Sequence, residues 1–156
     1  NLENYKNNSH LKNLGPEPIS KNFNFKYFEN YIKNRNRTVK DLMMDQKFVS
    51  GLGNIYVNEI LFLSKVKPTR RVHKLKNIEI QKIVTFTKKI LIKSIRLGGS
   101  SIKNFSSDDG KKGSFQQVFK VYGKKGANCS NIDCNNKILR LTISNRASFF
   151  CSKCQK

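Results

Sequence analysis

Four cysteines near the end of the chain have the type and spacing of a metal site. The spacing is Cys129-x4-Cys134-x16-Cys151-x2-Cys154. Two close pairs separated in this way are typical of paired knuckles that present four thiolates to one Zn²⁺. A unit of about 30 residues has no sizeable core of its own, so metal binding would supply much of its folding free energy. We predict one structural zinc ion held by Cys129, Cys134, Cys151 and Cys154.

Two other arrangements of these thiols stay open, namely two disulfides or four unrelated buried thiols. Residues 1–6 lack the apolar core of a secretory signal. No apolar run approaches the roughly 18 residues of a membrane helix. These observations predict that the protein resides in the reducing interior of the cell, where disulfides are rare. Four protein ligands would close the coordination sphere, so the metal would be structural rather than catalytic.

The charge of the chain favours a polyanionic partner. The chain has 156 residues, which fits one domain or two small ones, and it carries 31 Lys+Arg against 10 Asp+Glu, a formal charge of +21. Part of this excess is compositional, because Lys (24) far outnumbers Arg (7) and Asn is frequent (19), as expected from AT-rich codons. The remainder still favours nucleic acid over a generic solvated basic surface. Residues 111–156 are the most basic part.

Hydrophobic periodicity predicts the elements that position these residues, and it indicates a mainly α fold. Apolar spacing predicts a helix near 25–32, a short helix over 39–44 capped by Thr38, and a third over 55–64 opened by Asn54. A fourth helix of about 20 residues follows Asn77 as its cap and stops at Gly98-Gly99.

The remaining segments are predicted to be irregular or β. The first 22 residues are polar and indicate a linker. Residues 100–126 are predicted to be a loop with one short strand over 118–122. Residues 138–143 and 147–151 are predicted to form two strands joined by a tight turn at 144–146. The fold class is therefore a helical domain followed by a small four-Cys β-hairpin.

Three segments together have the pattern of one known family. The first runs from Val39-Lys40 through Gly51-Leu52-Gly53-Asn54-Ile55-Tyr56 to Glu59, and it resembles the helix–two-turn–helix motif in the C-terminal half of the formamidopyrimidine-DNA glycosylase family. The second runs from Leu97-Gly98-Gly99 to Gly113. The third runs from Val121-Tyr122-Gly123 through Asn145-Arg146 to the last cysteines and is similar to the family's zinc finger. The resemblance implies an interdomain linker over 1–18, a helix–two-turn–helix domain over 19–105, and a lid loop with a zinc finger over 106–156.

The resemblance also implies site residues. Lys40 and Asn54 match residues that hold phosphates around the damaged nucleotide, and Arg146 matches an arginine that grips the lesion phosphates and assists the elimination step. The alternatives are a surface lysine, a plain helix N-cap, and a solvent-exposed turn arginine. Tyr56 is included as a DNA contact, although packing accounts equally well for it. The segment 100–113 matches the lid that closes over an extruded base.

The family's activity defines the expected function. Its members remove oxidised purines, namely 8-oxoguanine and formamidopyrimidines, from damaged double-stranded DNA in base-excision repair, and they cleave the strand by β,δ-elimination. The implied protein is a DNA glycosylase/AP lyase, a monomer of the bacterial cytoplasm that associates with the nucleoid and not with a membrane. Two alternatives are an endonuclease VIII-type glycosylase for oxidised pyrimidines and a non-enzymatic zinc-ribbon module.

Two departures from the family pattern qualify the expectation. The first knuckle usually has two residues between its cysteines, whereas four separate Cys129 from Cys134 here. The family's nucleophile is an N-terminal proline in a domain that precedes the matched part, and the prolines here (Pro16, Pro18 and Pro68) are internal. We expect these 156 residues alone to bind DNA without excising 8-oxoguanine.

Overall fold

A computed structural model describes residues 13–99 and 114–156 and has the predicted mainly α architecture. Four helices precede one two-stranded antiparallel sheet. Two 3₁₀ turns, Val72–Lys74 and Phe115–Val118, lie between these elements. No helix in the described ranges is long and apolar enough to cross a membrane. The elements are α1 Phe25–Ile32, α2 Val39–Met43, α3 Asn54–Leu63, α4 Asn77–Arg96, β1 Ile138–Ile143 and β2 Arg146–Cys151.

The helix ends follow the sequence signals, with one correction. Thr38 caps α2, as predicted, because its hydroxyl accepts the N–H of Asp41. Asn77 does not cap α4; it is the first helical residue, and the Glu79 carboxylate accepts the N–H of Lys76 at 2.7 Å instead. Gly98 and Gly99 end α4 at φ of 71° and 80°, a region that favours glycine.

An aromatic cluster forms much of the helical core. The Phe48 side chain is fully buried. Its ring centroid lies 4.7 Å from that of Tyr31 and 4.9 Å from that of Phe28. The backbone of 46–50 also holds the predicted linker, because Gly15 N–H donates to the Gln46 carbonyl. The described part of that segment therefore has no helix or strand but is packed rather than free; the division into domains stays a prediction.

The hairpin has a tighter turn than expected. Its register runs from Ile143↔Arg146 to Ile138↔Cys151. Ser144 and Asn145 alone form the turn, both with left-handed φ (45° and 59°), which matches the twist of a two-residue hairpin loop. Arg146 is therefore the first residue of β2 and not part of the turn.

The strand predicted over 118–122 is wrong. The backbone N–H groups of Lys120, Val121 and Tyr122 all donate to the Glu59 carboxylate, at 2.8, 3.0 and 2.9 Å. Successive N–H groups of a strand point in opposite directions, so three in a row that reach one carboxylate exclude a strand. The predicted lid over 100–113 lies outside the described residues.

Candidate metal centre and nucleic-acid interface

The four cysteines converge on one point. Their Sγ atoms all lie within 4.8 Å of one another. The Sγ atoms of Cys129 and Cys154 are 3.8 Å apart, and those of Cys134 and Cys151 are 3.6 Å apart. A tetrahedral site with Zn–S bonds of about 2.3 Å has S···S edges of about 3.8 Å. A disulfide bond is about 2.05 Å long, so no disulfide joins these free cysteines, and their convergence on one point is not expected of four unrelated thiols.

The surroundings of the thiols shift their pKa values in different directions. Burial raises the pKa of Cys129 to about 12, whereas the backbone N–H of Asn136 lowers the pKa of Cys134 to about 7. Four thiolates this close repel one another, and a bound cation offsets that repulsion. The wider first knuckle closes because Asp133 takes a left-handed φ of 63° within the four-residue spacer. The four cysteines therefore fit a metal ion that is bound by four thiolates.

Gln155, which the sequence reasoning missed, anchors the metal centre to the helical region. Its side chain is 1 % exposed. Its Oε1 accepts the N–H of Cys151 at 2.9 Å, and its Nε2 donates to the carbonyl of Val66 at 2.8 Å. A buried amide with both ends satisfied fixes the relative position of the two backbones that it joins.

A second feature is a cleft of about 400 Å³ between α2 and the hairpin tip. Arg146 and Lys40 both line it. The hairpin tip is fastened to α2 because the Ser144 hydroxyl donates to Asp41 Oδ1 at 2.6 Å. The Arg146 side chain is exposed and has no hydrogen-bond partner in the part of the chain that the structure describes. A guanidinium in this setting keeps its five donors available to an anion.

Lys40 is not a surface lysine, which excludes that alternative. It is 1 % exposed, and its Nζ donates to Asn54 Oδ1 at 2.5 Å. Burial lowers the pKa of Lys40 to about 7; the charge of Arg146 lowers it as well, and Asp41 opposes the shift. A phosphate at the cleft would favour the charged form of this amine.

Asn54 lies where α3 begins, but its side chain does not cap the helix. Gly53 occupies the cap position, so the plain N-cap alternative is wrong. The Asn54 Oδ1 accepts from Lys40, and its Nδ2 donates to the Ala147 carbonyl at 3.0 Å. The first backbone N–H groups of a helix have no intrahelical acceptor, and they favour anions at this end. Lys40 and Arg146 thus line one cleft, and Asn54, which does not line it, is hydrogen-bonded to Lys40.

Tyr56 lies elsewhere. Its hydroxyl is hydrogen-bonded to Ser94 Oγ at 2.8 Å, and its ring centroid is 5.6 Å from that of Phe115. The residue both packs and uses its hydroxyl within the protein. Its predicted contact with DNA stays a proposal.

The sequence reasoning also missed the roles of Asn58 and Glu59, which are 2 % and 3 % exposed. Asn58 holds β2, and Glu59 holds the segment over 120–122. Both follow Val57 in a helix that is otherwise mostly apolar. Polar residues at buried helical positions need partners, and that requirement was a signal available in the sequence.

Comparison with known proteins defines the family. Residues 14–106 match the family model described as "Formamidopyrimidine-DNA glycosylase H2TH domain", and the chain belongs to this family. It is 42% identical to the formamidopyrimidine-DNA glycosylase of Roseobacter denitrificans over 146 residues, which cover 94% of this chain and 52% of that protein. The Listeria monocytogenes protein of the same name is 38% identical over 146 residues, covering 94% and 53%. The chain thus spans about half the length of the curated relatives that it matches.

Solved structures agree with this assignment. The MutM (Fpg) protein from Thermus thermophilus superposes with a TM-score of 0.88 at 33% identity, covering 97% of this chain and 57% of that one. The Lactococcus lactis Fpg, solved in a complex with DNA containing an abasic site, superposes with a TM-score of 0.86 at 35% identity, covering 99% and 55%. The similarity therefore extends across both the helices and the Cys-bearing hairpin.

Proposed function

We propose that this chain is the damaged-DNA-binding part of a base-excision repair DNA glycosylase/AP lyase. The intact enzyme would remove 8-oxoguanine and formamidopyrimidines and cleave the strand by β,δ-elimination. The observation that carries the proposal is the cleft lined by Arg146 and Lys40, because it places an exposed guanidinium beside an amine that is hydrogen-bonded to Asn54, the first residue of α3. Such a set suits the phosphates that flank a lesion.

The ligand set supports further parts of the proposal. One structural Zn²⁺ would be bound by Cys129, Cys134, Cys151 and Cys154, since soft thiolates in a closed tetrahedron favour this ion. The zinc would hold the hairpin that carries Arg146. The name that the relatives share, formamidopyrimidine-DNA glycosylase, supports oxidised purines as the lesions that the intact enzyme would remove. The chain would bind damaged duplex DNA as a monomer.

The test compares two DNA duplexes that differ only in one abasic-site analogue. We expect Arg146→Ala to weaken binding to the abasic duplex by roughly ten-fold, and binding to the undamaged duplex by less, because a charge-assisted contact to the lesion phosphates is lost. The matched control is Arg140→Ala, which removes an exposed arginine from the neighbouring strand of the same hairpin.

A salt titration of the same duplexes measures the phosphate contacts. Each phosphate neutralised on duplex DNA contributes about −0.9 to the slope of log K against log salt concentration. A near-zero slope would contradict docking through phosphates. Equal losses for Arg146→Ala on both duplexes would reduce Arg146 to a general surface charge.

A further inference from the structure

The strand that carries Arg146 has one edge turned towards α3. The two-residue turn makes Ile143 and Arg146 the first hydrogen-bonded pair of the hairpin. Because hydrogen-bonded and non-hydrogen-bonded pairs alternate, residues 147 and 149 direct their N–H and C=O groups away from β1. These groups would be unpaired in an isolated hairpin, and a buried edge of this kind needs partners.

The Asn58 side chain supplies partners for two of these groups. Its Oδ1 accepts the N–H of Phe149 at 2.6 Å, and its Nδ2 lies 3.4 Å from the carbonyl oxygen of Ala147. One primary amide thus meets one N–H and one C=O of the edge, as a residue of a neighbouring strand would. The same Nδ2 donates to the Asn54 carbonyl at 2.7 Å, which ties the amide to its own helix.

Asn54 makes a second bond to the same edge. Its Nδ2 donates to the Ala147 carbonyl at 3.0 Å. The two amides are four residues apart, so they lie on one face of α3. Arg146 directly precedes Ala147, and its backbone position is therefore set by these bonds rather than by the hairpin turn alone.

We propose that Asn58 is a positioning residue that fixes Arg146 relative to Lys40 at the DNA cleft and to Asn54, the hydrogen-bond partner of Lys40. The inference rests on the proposed function, since it assumes that Arg146 contacts DNA. Asn58 is buried and does not line the cleft. Its effect on DNA would be transmitted by the backbone of β2, whereas a residue that only stabilises the fold would affect all DNA contacts alike.

A double-mutant cycle tests this inference with the full 156-residue chain and the abasic duplex. We expect Asn58→Ala to weaken binding by several-fold when Arg146 is present, and to have no further effect in the Arg146→Ala background. Asn58→Ser, which keeps a smaller polar group, is the second variant in case the alanine variant is poorly folded. Thermal unfolding of every variant is measured first, and binding is compared well below each transition.

The matched control is Gln155→Ala, because Gln155 is also a fully buried amide that holds β2, but at its opposite end. We expect Gln155→Ala to lower stability and metal retention while its effect on binding adds to that of Arg146→Ala. Additive losses for Asn58 and Arg146 would overturn the inference. If Arg146→Ala itself left binding unchanged, the proposed function would fail instead, so the two failures are distinguishable.

Discussion

The helical region over 13–99 and the Cys-bearing region over 114–156 are stabilised in different ways. Among the described residues, the apolar cluster that spans the helices has 21 buried members, of which only Phe115 and Phe119 come from the later region. The cluster around the hairpin has seven, and three of these are cysteines that converge on the metal centre. The first region has the buried apolar residues of an ordinary core, whereas the second has few of them and is of a size at which metals often supply stability.

Polar bonds join the two regions. Asn54, Asn58 and Glu59 on α3, together with Gln155, connect side-chain amides or a carboxylate to backbone groups across the boundary. Hydrogen bonds are directional, and apolar contacts are not. The comparison therefore indicates that apolar packing holds the scaffold, while polar bonds set the orientation of the hairpin that carries Arg146.

Metal removal should have the largest effect of these changes, and it should affect the Cys-bearing region without the helical region. We expect chelation, or Cys151→Ser, to unfold the hairpin while the helices persist, because metal binding in small zinc units is worth about 10–16 kcal/mol. Metal content, helical circular dichroism and the backbone amide signals of residues 138–151 would be measured together. Ser152→Ala, at an exposed neighbouring position, is the control. Parallel loss of the helical signal would contradict the separation.

Loss of core volume should instead destabilise the helical region. Phe48 is fully buried among aromatic rings, so Phe48→Ala should lower the free energy of unfolding by about 3–5 kcal/mol in urea denaturation. Metal affinity should be unchanged in this variant. Ile132→Ala is the comparison, because Ile132 is 91% exposed and its truncation should change stability by no more than about 0.5 kcal/mol. A large fall in metal affinity for Phe48→Ala would show that the regions fold as one unit.

Lys40 should make the stability of the chain depend on pH. Lys40 has a pKa of about 7 in the folded protein, mainly because of burial, against about 10.4 for an unfolded lysine. Between these values the unfolded state binds the extra proton, so the free energy of unfolding should rise with pH from about 7 to about 10. Relative to Lys40→Met, the wild-type chain should gain stability over this interval.

The control for this pH series is Lys82→Met, which removes an exposed lysine of α4. We expect its pH profile to follow that of the wild-type chain. If the stability of Lys40→Met rose with pH as steeply as that of the wild type, a group other than Lys40 would be responsible for the pH dependence.

Local signals predicted much of the fold. The apolar stripe of α4, the Thr38 cap and the Gly98-Gly99 stop all act within a few residues, so periodicity and composition were enough to find them. The strand prediction over 118–122 was wrong although the apolar residues there have the pattern of a strand. The carboxylate of Glu59, distant in the sequence, fixes the backbone of this segment instead. The prediction that Asn77 caps α4 was wrong because the Glu79 carboxylate accepts the N–H of Lys76, which is the cap residue.

The sequence by itself determined the family motif, the helices and the four thiols, because these depend on residue type at short spacing. Only the tertiary structure decided which distant side chains meet. It buries Lys40 against Asn54, turns Tyr56 towards Ser94, and sets Arg146 on the strand held by Asn58. The partners in these contacts lie between 14 and 91 residues apart in the chain. No local pattern encodes such pairs, since packing of the whole helical region brings them together.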